Sequence, residues 1–309
     1  MINTIAILGA GTMGEGMARI FPKYGRHTIL YDPDQKALAV AKNKLLNAGE
    51  GAPETPGSHA QVKENLEFTV VLEDAISEAD FIIETAPEDL KIKRQLYSEI
   101  GSMLKAGAVV ASNTSSYSLE KLCAQQTFAN QLIITHFFNP AHIIPLVEIV
   151  KSDDTTPGVA ESIAAFLSSC GKVPVILKKD INGFIANRLQ AAVLREACFL
   201  VENGIADVGQ IDTVMKESVG MRWAVSGPFQ VADYGGLDIW EKVLTNLLPL
   251  LSYNSEVPKI ISGKVKQNEL GLKSGKGFFD YALKNDRQQV DDWKLKLMKI
   301  LKFRDQNFG

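Results

Sequence analysis

The sequence "TIAILGAGTMGEGMARIFPKYG" occupies residues 4–25 and joins two periodic patterns. The run Thr4–Leu8 has the length and branched side chains of a buried strand, whereas apolar residues recur at helical spacing in the second half of the stretch. The two patterns meet at three spaced glycines, Gly9, Gly11 and Gly14. The stretch therefore predicts a strand that passes through a tight glycine turn directly into a helix.

The glycine spacing is that of the GxGxxG loops that bind dinucleotide phosphates. Gly9 allows the tight turn, Gly11 lets a pyrophosphate approach the backbone, and Gly14 lets the helix pack closely on the strand. Asp32 ends the next predicted strand, "HTILYD", about twenty residues further on, where a carboxylate accepts hydrogen bonds from the adenosine ribose and repels a 2′-phosphate. These features predict NAD as the cofactor. The alternative is that Asp32 only begins the turn before Pro33.

Length and composition restrict the class of protein. The chain has 309 residues, of which 46% are hydrophobic, and this length favours two domains. The net charge of -3 is spread without a basic block, which argues against nucleic acid or an anionic membrane surface as a partner and favours a small soluble ligand. No segment reaches the roughly 18 apolar residues of a membrane span, and "MINTIAIL" does not have the pattern of a signal peptide. We therefore expect a cytoplasmic protein.

Apolar runs typical of buried strands alternate with helical patterns along the first part of the chain. After the first two strands, the runs are "LEFTVV", "DFIIET", "GAVVASN", "QLIITHFFN", "IIPLVEIV" and "VPVILKKD". This alternation predicts an α/β fold with a Rossmann-type, doubly wound, mostly parallel sheet. The later patterns are helical only, so we expect a nucleotide-binding domain over residues 1–180 and an all-helical domain over residues 181–309. The Pro- and Gly-rich residues 49–61 predict an exposed loop.

Cysteine usage gives no sign of a disulfide framework or a metal site. Cys123, Cys170 and Cys198 lie far apart in apolar helical contexts, and three is an odd number. We interpret them as buried thiols. The sequence also shows none of the usual clusters of metal ligands, so no metal is expected.

One of the four histidines lies where ligands of open α/β sheets bind. His136 follows the run "QLIIT", at the carboxyl end of a predicted strand, and is the candidate general base. His142, in the loop that follows, is a weaker candidate. His27 precedes the second strand and His59 lies in the irregular segment, and both are poor positions for a base.

Three further polar residues stand out from apolar or strand-end surroundings. Glu148 is the only charge in "IIPLVEIV", and a buried carboxylate needs a partner, for which His136 is twelve residues back. The alternative is a glutamate that faces outward from an edge strand. Ser115 follows the strand end "GAVVASNT", where a serine is most often only a turn or cap residue. Asn187, inside the helical pattern "GFIANRLQAAVL", is costly to bury unless it meets a polar partner.

Seven motifs, in this order, give the chain a resemblance to a known family. They are "GAGTMG", "SNTSS", "HFFNP", "LVEIV", "NGFIANRL", "GPFQVADYGGLD" and "LKSGKGFFDY". The chain resembles the L-3-hydroxyacyl-CoA dehydrogenases of fatty acid metabolism and their relatives that act on free hydroxy acids. The resemblance implies reversible, NAD-dependent oxidation of a secondary alcohol to a ketone.

The resemblance also implies roles for particular residues and for the helical domain. It assigns Ser115, His136, Glu148 and Asn187 to the family's catalytic set. It implies that Glu88 and Lys93, in "PEDLKIK", contact the cofactor. It further implies that the helical domain forms a homodimer.

The substrate stays open between a CoA thioester and a free acid. Acyl-CoA members carry a longer, lysine-rich helical arm after the second strand, whereas residues 49–61 here contain acids and no lysine. Those members also commonly have a lysine at the position of Pro145. The segment "GMRWAVSGPF" is more similar to the branch of L-gulonate 3-dehydrogenase and carnitine dehydrogenase. Its Arg222 either packs its stem on apolar surface or binds a substrate carboxylate.

Two rival classes agree less well with the sequence. Lambda-crystallin is a structural member of the resembled family, but loss of a catalytic residue would have favoured that class and none is lost. Dehydrogenases that resemble 6-phosphogluconate and 3-hydroxyisobutyrate dehydrogenases use a lysine at the start of the interdomain helix. The segment "NGFIANRL" contains no lysine.

Overall fold

The computed structural model describes residues 2–46, 59–281 and 286–307. The chain divides into two compact units, residues 1–185 and 186–309. This division lies shortly after the boundary expected at residue 180. The loop expected over residues 49–61 falls mainly outside the described residues, but its end differs from expectation because a helix already begins at His59.

Eight strands of the described first unit form one sheet, in the order β3-β2-β1-β4-β5-β6-β7-β8. Their bounds are β1 Thr4–Leu8, β2 His27–Tyr31, β3 Leu66–Thr69, β4 Phe81–Glu84, β5 Val109–Ser112, β6 Leu132–Phe137, β7 Leu146–Val150 and β8 Val173–Ile176. All neighbouring strands pair in parallel except β6 and β7, which are antiparallel. The prediction of a Rossmann-type, mostly parallel sheet is confirmed.

Helices of the first unit follow the strands in turn. They are α1 Thr12–Ala18, α2 Gln35–Leu46, α3 His59–Glu64, α4 Leu72–Ile76, α5 Leu90–Ile100, α6 Leu119–Cys123 and α7 Val159–Ser169. Two apolar clusters cover opposite faces of the sheet. On β1, Ile5 and Ile7 join one cluster, whereas Ala6 and Leu8 join the other. Because side chains alternate along a strand, an unbroken apolar run is what a strand buried on both faces requires.

The second unit is helical, as expected. Its helices are α8 Ala186–Glu202, α9 Val208–Val214, α10 Gly220–Trp223, α11 Pro228–Gly235, α12 Leu237–Leu247, α13 Lys259–Lys266 and α14 Asp286–Asn307. Among the described residues of this unit, only Cys198 and Gly277 are buried. A set of helices normally buries one apolar face against other elements, so this unit leaves much of its apolar surface uncovered in a single chain.

The cysteine prediction is partly wrong. Cys170 and Cys198 are buried, but Cys123 is only half-buried. Cys123 is the last residue of the short helix α6, and its position at a helix end leaves part of the side chain accessible. Burial nevertheless raises the pKa of the Cys123 thiol to about 11, with a further contribution from the charge of Asp154. The thiol is therefore protonated and unreactive at neutral pH.

No helix in the described parts of the chain combines the length and the apolar content that a membrane span requires.

A buried lysine holds the connection between β6 and β7. Lys172 donates hydrogen bonds from Nζ to the carbonyl oxygens of Ala141 and Ile144, the latter at 2.9 Å. Burial, followed by the charge of Lys23, lowers the pKa of Lys172 to about 8. The two bonds fix the loop whose ends carry the strands of His136 and Glu148.

This pKa predicts a pH dependence of stability. Between pH 8 and the unfolded value of 10.5, the unfolded chain binds more protons at Lys172 than the folded chain does, so this group makes the free energy of unfolding rise with pH. Lys172→Met removes that slope. In urea unfolding, the wild-type minus variant difference in free energy should increase by about 1–2 kcal/mol between pH 7.5 and 9.5. The exposed Lys178→Met is the control. A constant difference for Lys172→Met would contradict the assignment.

Candidate active site

The glycine loop between β1 and α1 has the space that a dinucleotide phosphate needs. Gly9 has a φ of +118°, and an added Cβ there would lie 2.7 Å from Thr85 Oγ1. A Cβ on Gly14 would lie 1.8 Å from the carbonyl oxygen of Gly9, so helix and strand approach too closely for any side chain. A Cβ on Gly11, in contrast, would meet no protein atom within 4 Å. The loop thus leaves open space at Gly11, where a pyrophosphate is expected.

Asp32 lies directly after β2 and is tied to the glycine loop. Its Oδ2 accepts a hydrogen bond from the Ala10 backbone N–H at 2.8 Å, and its Oδ1 accepts one from the Asp34 N–H at 2.9 Å. The second bond shows that Asp32 does begin a turn. The bond from Ala10 places the Asp32 carboxylate beside the glycine loop, where a residue that binds the ribose must lie. The ribose contact itself stays a prediction.

His136 and Glu148 form a buried pair. They lie directly opposite each other on the antiparallel strands β6 and β7, and His136 Nδ1 is 2.9 Å from Glu148 Oε2. The other carboxylate oxygen accepts a hydrogen bond from the Ile185 N–H at 2.9 Å. Only 1% of Glu148 is exposed, and β7 lies between β6 and β8. The alternative of an outward-facing glutamate on an edge strand is therefore wrong.

The pairing determines which nitrogen of His136 is available. A carboxylate only accepts hydrogen bonds, so the Nδ1 that faces Glu148 carries a proton and Nε2 of the neutral ring is the acceptor. Nε2 makes no hydrogen bond to the described residues. The imidazole ring packs against Phe138, with centroids 4.4 Å apart, and against Phe184 at 5.2 Å. His136 is therefore a base with a fixed orientation in apolar surroundings.

Ser115 lies on the loop that follows β5, the strand beside β6. It is exposed, and its hydroxyl makes no hydrogen bond to the part of the chain that the structure describes. Its backbone N–H donates to Glu88 Oε1 at 3.1 Å. Two residues earlier, Asn113 Oδ1 accepts a hydrogen bond from the Phe137 N–H at 2.9 Å. The loop that follows β5 and carries Ser115, called the serine loop below, is thus hydrogen-bonded to β6, the strand of His136.

The two residues expected to contact the cofactor differ in accessibility. Glu88 has 39% of its side chain exposed, whereas Lys93 has 1% exposed and places Nζ between Glu84 and Glu88. Glu84 was not among the residues predicted from the sequence. Its signal was similar to that of Glu148, a carboxylate in a buried apolar strand, but Glu84 is the last residue of its strand, in "DFIIET".

Two expected site residues belong to the helical unit. Asn187 is the second residue of α8 and is half-buried. The expectation that it lies in a helix interior is wrong, because the helix begins only at Ala186. Arg222, in α10, is exposed. Its guanidinium makes two long hydrogen bonds to Ser218, of 3.4 Å to the carbonyl oxygen and 3.5 Å to Oγ.

The other three histidines lie away from the pair of His136 and Glu148 in sequence or in the sheet, except for His142 in the adjoining loop. His142 is half-buried in the loop between β6 and β7. His27 begins β2, with Nε2 3.8 Å from Glu67 Oε2. The side chain of His59 lies outside the described residues. In the ranges that the structure describes, no three His, Cys, Asp or Glu side chains are grouped so as to hold a metal ion.

Two family models match the chain over most of its length. The model of the NAD binding domain of 3-hydroxyacyl-CoA dehydrogenase matches residues 4–181, and the model of the C-terminal domain of that family matches residues 183–281. The first match covers the glycine loop, Asp32 and the pair His136–Glu148. The second covers Asn187 and Arg222.

Named relatives of the chain have different substrates. A 5-formyl-3-hydroxy-2-methylpyridine 4-carboxylate 5-dehydrogenase of Mesorhizobium japonicum is 36% identical over 285 residues, which cover 91% of this chain and 92% of the relative. An L-carnitine dehydrogenase of Streptomyces griseus is 37% identical over 228 residues, 74% of this chain and 68% of the relative.

Solved structures similar to the chain include a dehydrogenase of the same pyridine carboxylic acid and a dehydrogenase of a CoA thioester. The structure of a 5-formyl-3-hydroxy-2-methylpyridine 4-carboxylic acid 5-dehydrogenase, described as an NAD+ dependent dismutase, has a TM-score of 0.89 and 33% identity and covers 99% of both chains. The (S)-3-hydroxybutyryl-CoA dehydrogenase of Ralstonia eutropha has a TM-score of 0.72 and 28% identity and covers 91% of this chain and 99% of its own.

Proposed function

Since the chain belongs to the 3-hydroxyacyl-CoA dehydrogenase family and its cofactor is NAD, we propose that it reversibly oxidises a secondary alcohol on a small free carboxylic acid. The observation that carries the proposal is the buried pair of His136 and Glu148 with Nε2 left as an acceptor. A base oriented in this way, at the carboxyl ends of the strands, suits proton removal from a hydroxyl group.

The roles of the residues follow from their chemistry. Bound NAD supplies the hydride acceptor. His136 Nε2 takes the hydroxyl proton, while Glu148 fixes the tautomer and stabilises the imidazolium that results. Phe138 and Phe184 keep water from the imidazole. The exposed Ser115 hydroxyl is assigned to the reacting oxygen, and the family resemblance assigns Asn187 to the same oxygen.

Four features favour a free acid over a CoA thioester. The relatives named above are dehydrogenases of a pyridine carboxylate and of carnitine. Pro145 stands where acyl-CoA members commonly carry a lysine. Residues 49–61 contain no lysine for the CoA phosphates. The exposed Arg222 guanidinium makes only two long hydrogen bonds, both to Ser218 just before α10, so it can bind a carboxylate through two parallel bonds.

Two other substrates are retained as candidates. The family models and the 3-hydroxybutyryl-CoA dehydrogenase structures favour a 3-hydroxyacyl-CoA thioester. The relative that matches over 99% of both chains favours an aldehyde on an aromatic acid, because the hydrate of an aldehyde also presents a hydroxyl to the base. A role in fatty acid metabolism and a cytoplasmic location stay predictions.

We also infer a homodimer through the helical unit. In a single chain this unit exposes large apolar side chains, with 87% of Phe229, 78% of Tyr234 and 89% of Tyr253 accessible. Large exposed apolar patches are rare on monomeric proteins and mark interaction sites. A second copy of the same unit supplies a matching apolar face, and two-fold dimers are the commonest assemblies.

Replacement of His136 tests its role as the base. His136→Gln should lower kcat by roughly 10²- to 10⁴-fold, the usual range for general acid–base catalysis, and should leave the dissociation constant of NADH nearly unchanged. NADH binding is measured by fluorescence titration and turnover by nicotinamide absorbance. His142→Gln is the control and should stay active. Activity of His136→Gln within a few-fold of wild type would remove His136 from the mechanism.

The substrate class and the role of Arg222 can be tested together. With a panel of 3-hydroxy acids, their CoA thioesters and aromatic aldehyde acids, a free acid should have the highest kcat/KM. Arg222→Met should raise KM for that acid by about tenfold or more, since a charge-assisted hydrogen bond contributes roughly 1.5–3 kcal/mol, and should change kcat less. The exposed Lys216→Met is the matched control. Preference for the thioester, with normal turnover by Arg222→Met, would instead support the acyl-CoA assignment.

The inferred homodimer can be tested in solution. Sedimentation equilibrium of the full chain should give twice the chain mass of 33.8 kDa. The melting temperature should also rise with protein concentration, because association stabilises the folded state by mass action. A single-chain mass at micromolar concentration, with a melting temperature independent of concentration, would be incompatible with the dimer.

A further inference from the structure

A buried carboxylate lies at the carboxyl end of the central strand β4. Glu84 is the last residue of that strand and is fully buried. In the sheet it pairs with Leu8 at the end of β1 and with Ser112 at the end of β5. Glu84 therefore lies between the strand that leads into the glycine loop and the strand that leads into the loop of Ser115.

All four hydrogen-bond donors around Glu84 are at short distances. Its Oε1 accepts from Lys93 Nζ and from the Ala86 N–H, each at 2.7 Å. Its Oε2 accepts from the Tyr97 hydroxyl and from Ser112 Oγ, each at 2.7 Å. Burial, with the charge of Glu84 next, holds the pKa of Tyr97 well above its usual value, so Tyr97 remains a donor. These bonds leave the carboxylate fully satisfied and rigid.

Lys93 connects this buried carboxylate to Glu88. Its Nζ is 2.7 Å from Glu84 Oε1 and 3.3 Å from Glu88 Oε2, and it also donates to the carbonyl oxygen of Ala86 at 3.4 Å. With 1% of its side chain exposed, the ammonium group is confined between two carboxylates. Its position therefore determines where Glu88 lies.

Glu88 in turn holds the serine loop through one oxygen. Its Oε1 accepts from the hydroxyls of Thr114 and Ser116, and from the backbone N–H groups of Ser115 at 3.1 Å and Ser116 at 3.2 Å. Burial raises the pKa of Glu88, but the hydrogen bonds from Ser116 and Thr114 and the charge of Lys93 lower it by more. Glu88 is thus an anion that fixes three consecutive residues.

We propose that Glu84 is a positioning residue, which acts through Lys93 and Glu88 to hold the backbone of Ser115 in place for the reacting oxygen. The ion pair is not needed for packing, because apolar residues of similar volume often stabilise a core as well as a buried pair does. What the pair supplies is a fixed charge at the base of the loop. The proposal rests on the role given to Ser115 in the proposed function.

The test uses the NADH-bound full chain and begins with Glu84→Gln, which keeps the shape and removes the charge opposite Lys93. Hydrogen exchange of the Ser115 and Ser116 amides should become about tenfold faster or more. The reason is that Glu88, their common acceptor, is held by Lys93, whose ion pair with Glu84 is lost. The kcat should fall by about tenfold while KM for the acid changes less, because a misplaced group affects the transition state most. Lys91→Met, on the exposed side of the same helical turn, should change neither.

The double variant Glu84→Gln/Lys93→Met separates positioning from mere folding. It removes both buried charges, so it should recover the melting temperature that Glu84→Gln loses, but it should recover neither the amide protection nor kcat. If the double variant regains wild-type kcat and exchange, or if folded Glu84→Gln keeps them, the proposal is overturned. The exchange measurement needs no substrate, so it decides the matter even if no acid in the panel is oxidised.

Discussion

The arrangement of the first unit around its site depends on the buried pair of His136 and Glu148. A carboxylate inside a sheet costs several kcal/mol of desolvation unless it is paired and hydrogen-bonded. Glu148 meets this condition with Nδ1 of His136 on one oxygen and the Ile185 N–H on the other. The two residues lie directly opposite each other on β6 and β7, which run antiparallel, the one departure from parallel pairing among the described strands. The short loop that reverses the chain is held by Lys172.

A second set of charges, of which Glu84 and Lys93 are buried, positions the neighbouring loop. Glu84, Lys93 and Glu88 form a line from the centre of the sheet to Ser115. In both cases a carboxylate at or within a buried strand fixes a polar group at the carboxyl edge of the sheet. Rigid elements thus position the groups that a reaction would use, which is more accurate than placement by a free loop.

Local spacing was enough to predict the glycine loop, the position of Asp32 after the second strand and the pairing of His136 with Glu148. The reason is that each depends on contacts within one strand–turn–helix unit or across one loop. The direction of β7 was not predictable from its apolar run, because a strand buried on both faces has the same apolar pattern whether it is parallel or antiparallel to its neighbour. A usable signal was the connection of residues 138–145, which is too short for the crossover that parallel strands need. Glu84 was missed because its partners lie on another strand and on α5. The homodimer was implied only by the family resemblance and stays a proposal, because no contact within a single chain can indicate a partner surface on a second copy.

The central claim is that Glu148 leaves His136 with a proton on Nδ1 and an acceptor at Nε2. Nitrogen-15 NMR of histidine-labelled, NADH-bound protein measures this directly, because the chain has only four histidines and His136→Gln identifies the signal. The account predicts that the neutral ring of His136 carries its proton on Nδ1, and that Glu148→Gln, whose amide can also donate, lowers this tautomer's share. A neutral His136 ring with its proton on Nε2 in the wild-type protein would contradict the account.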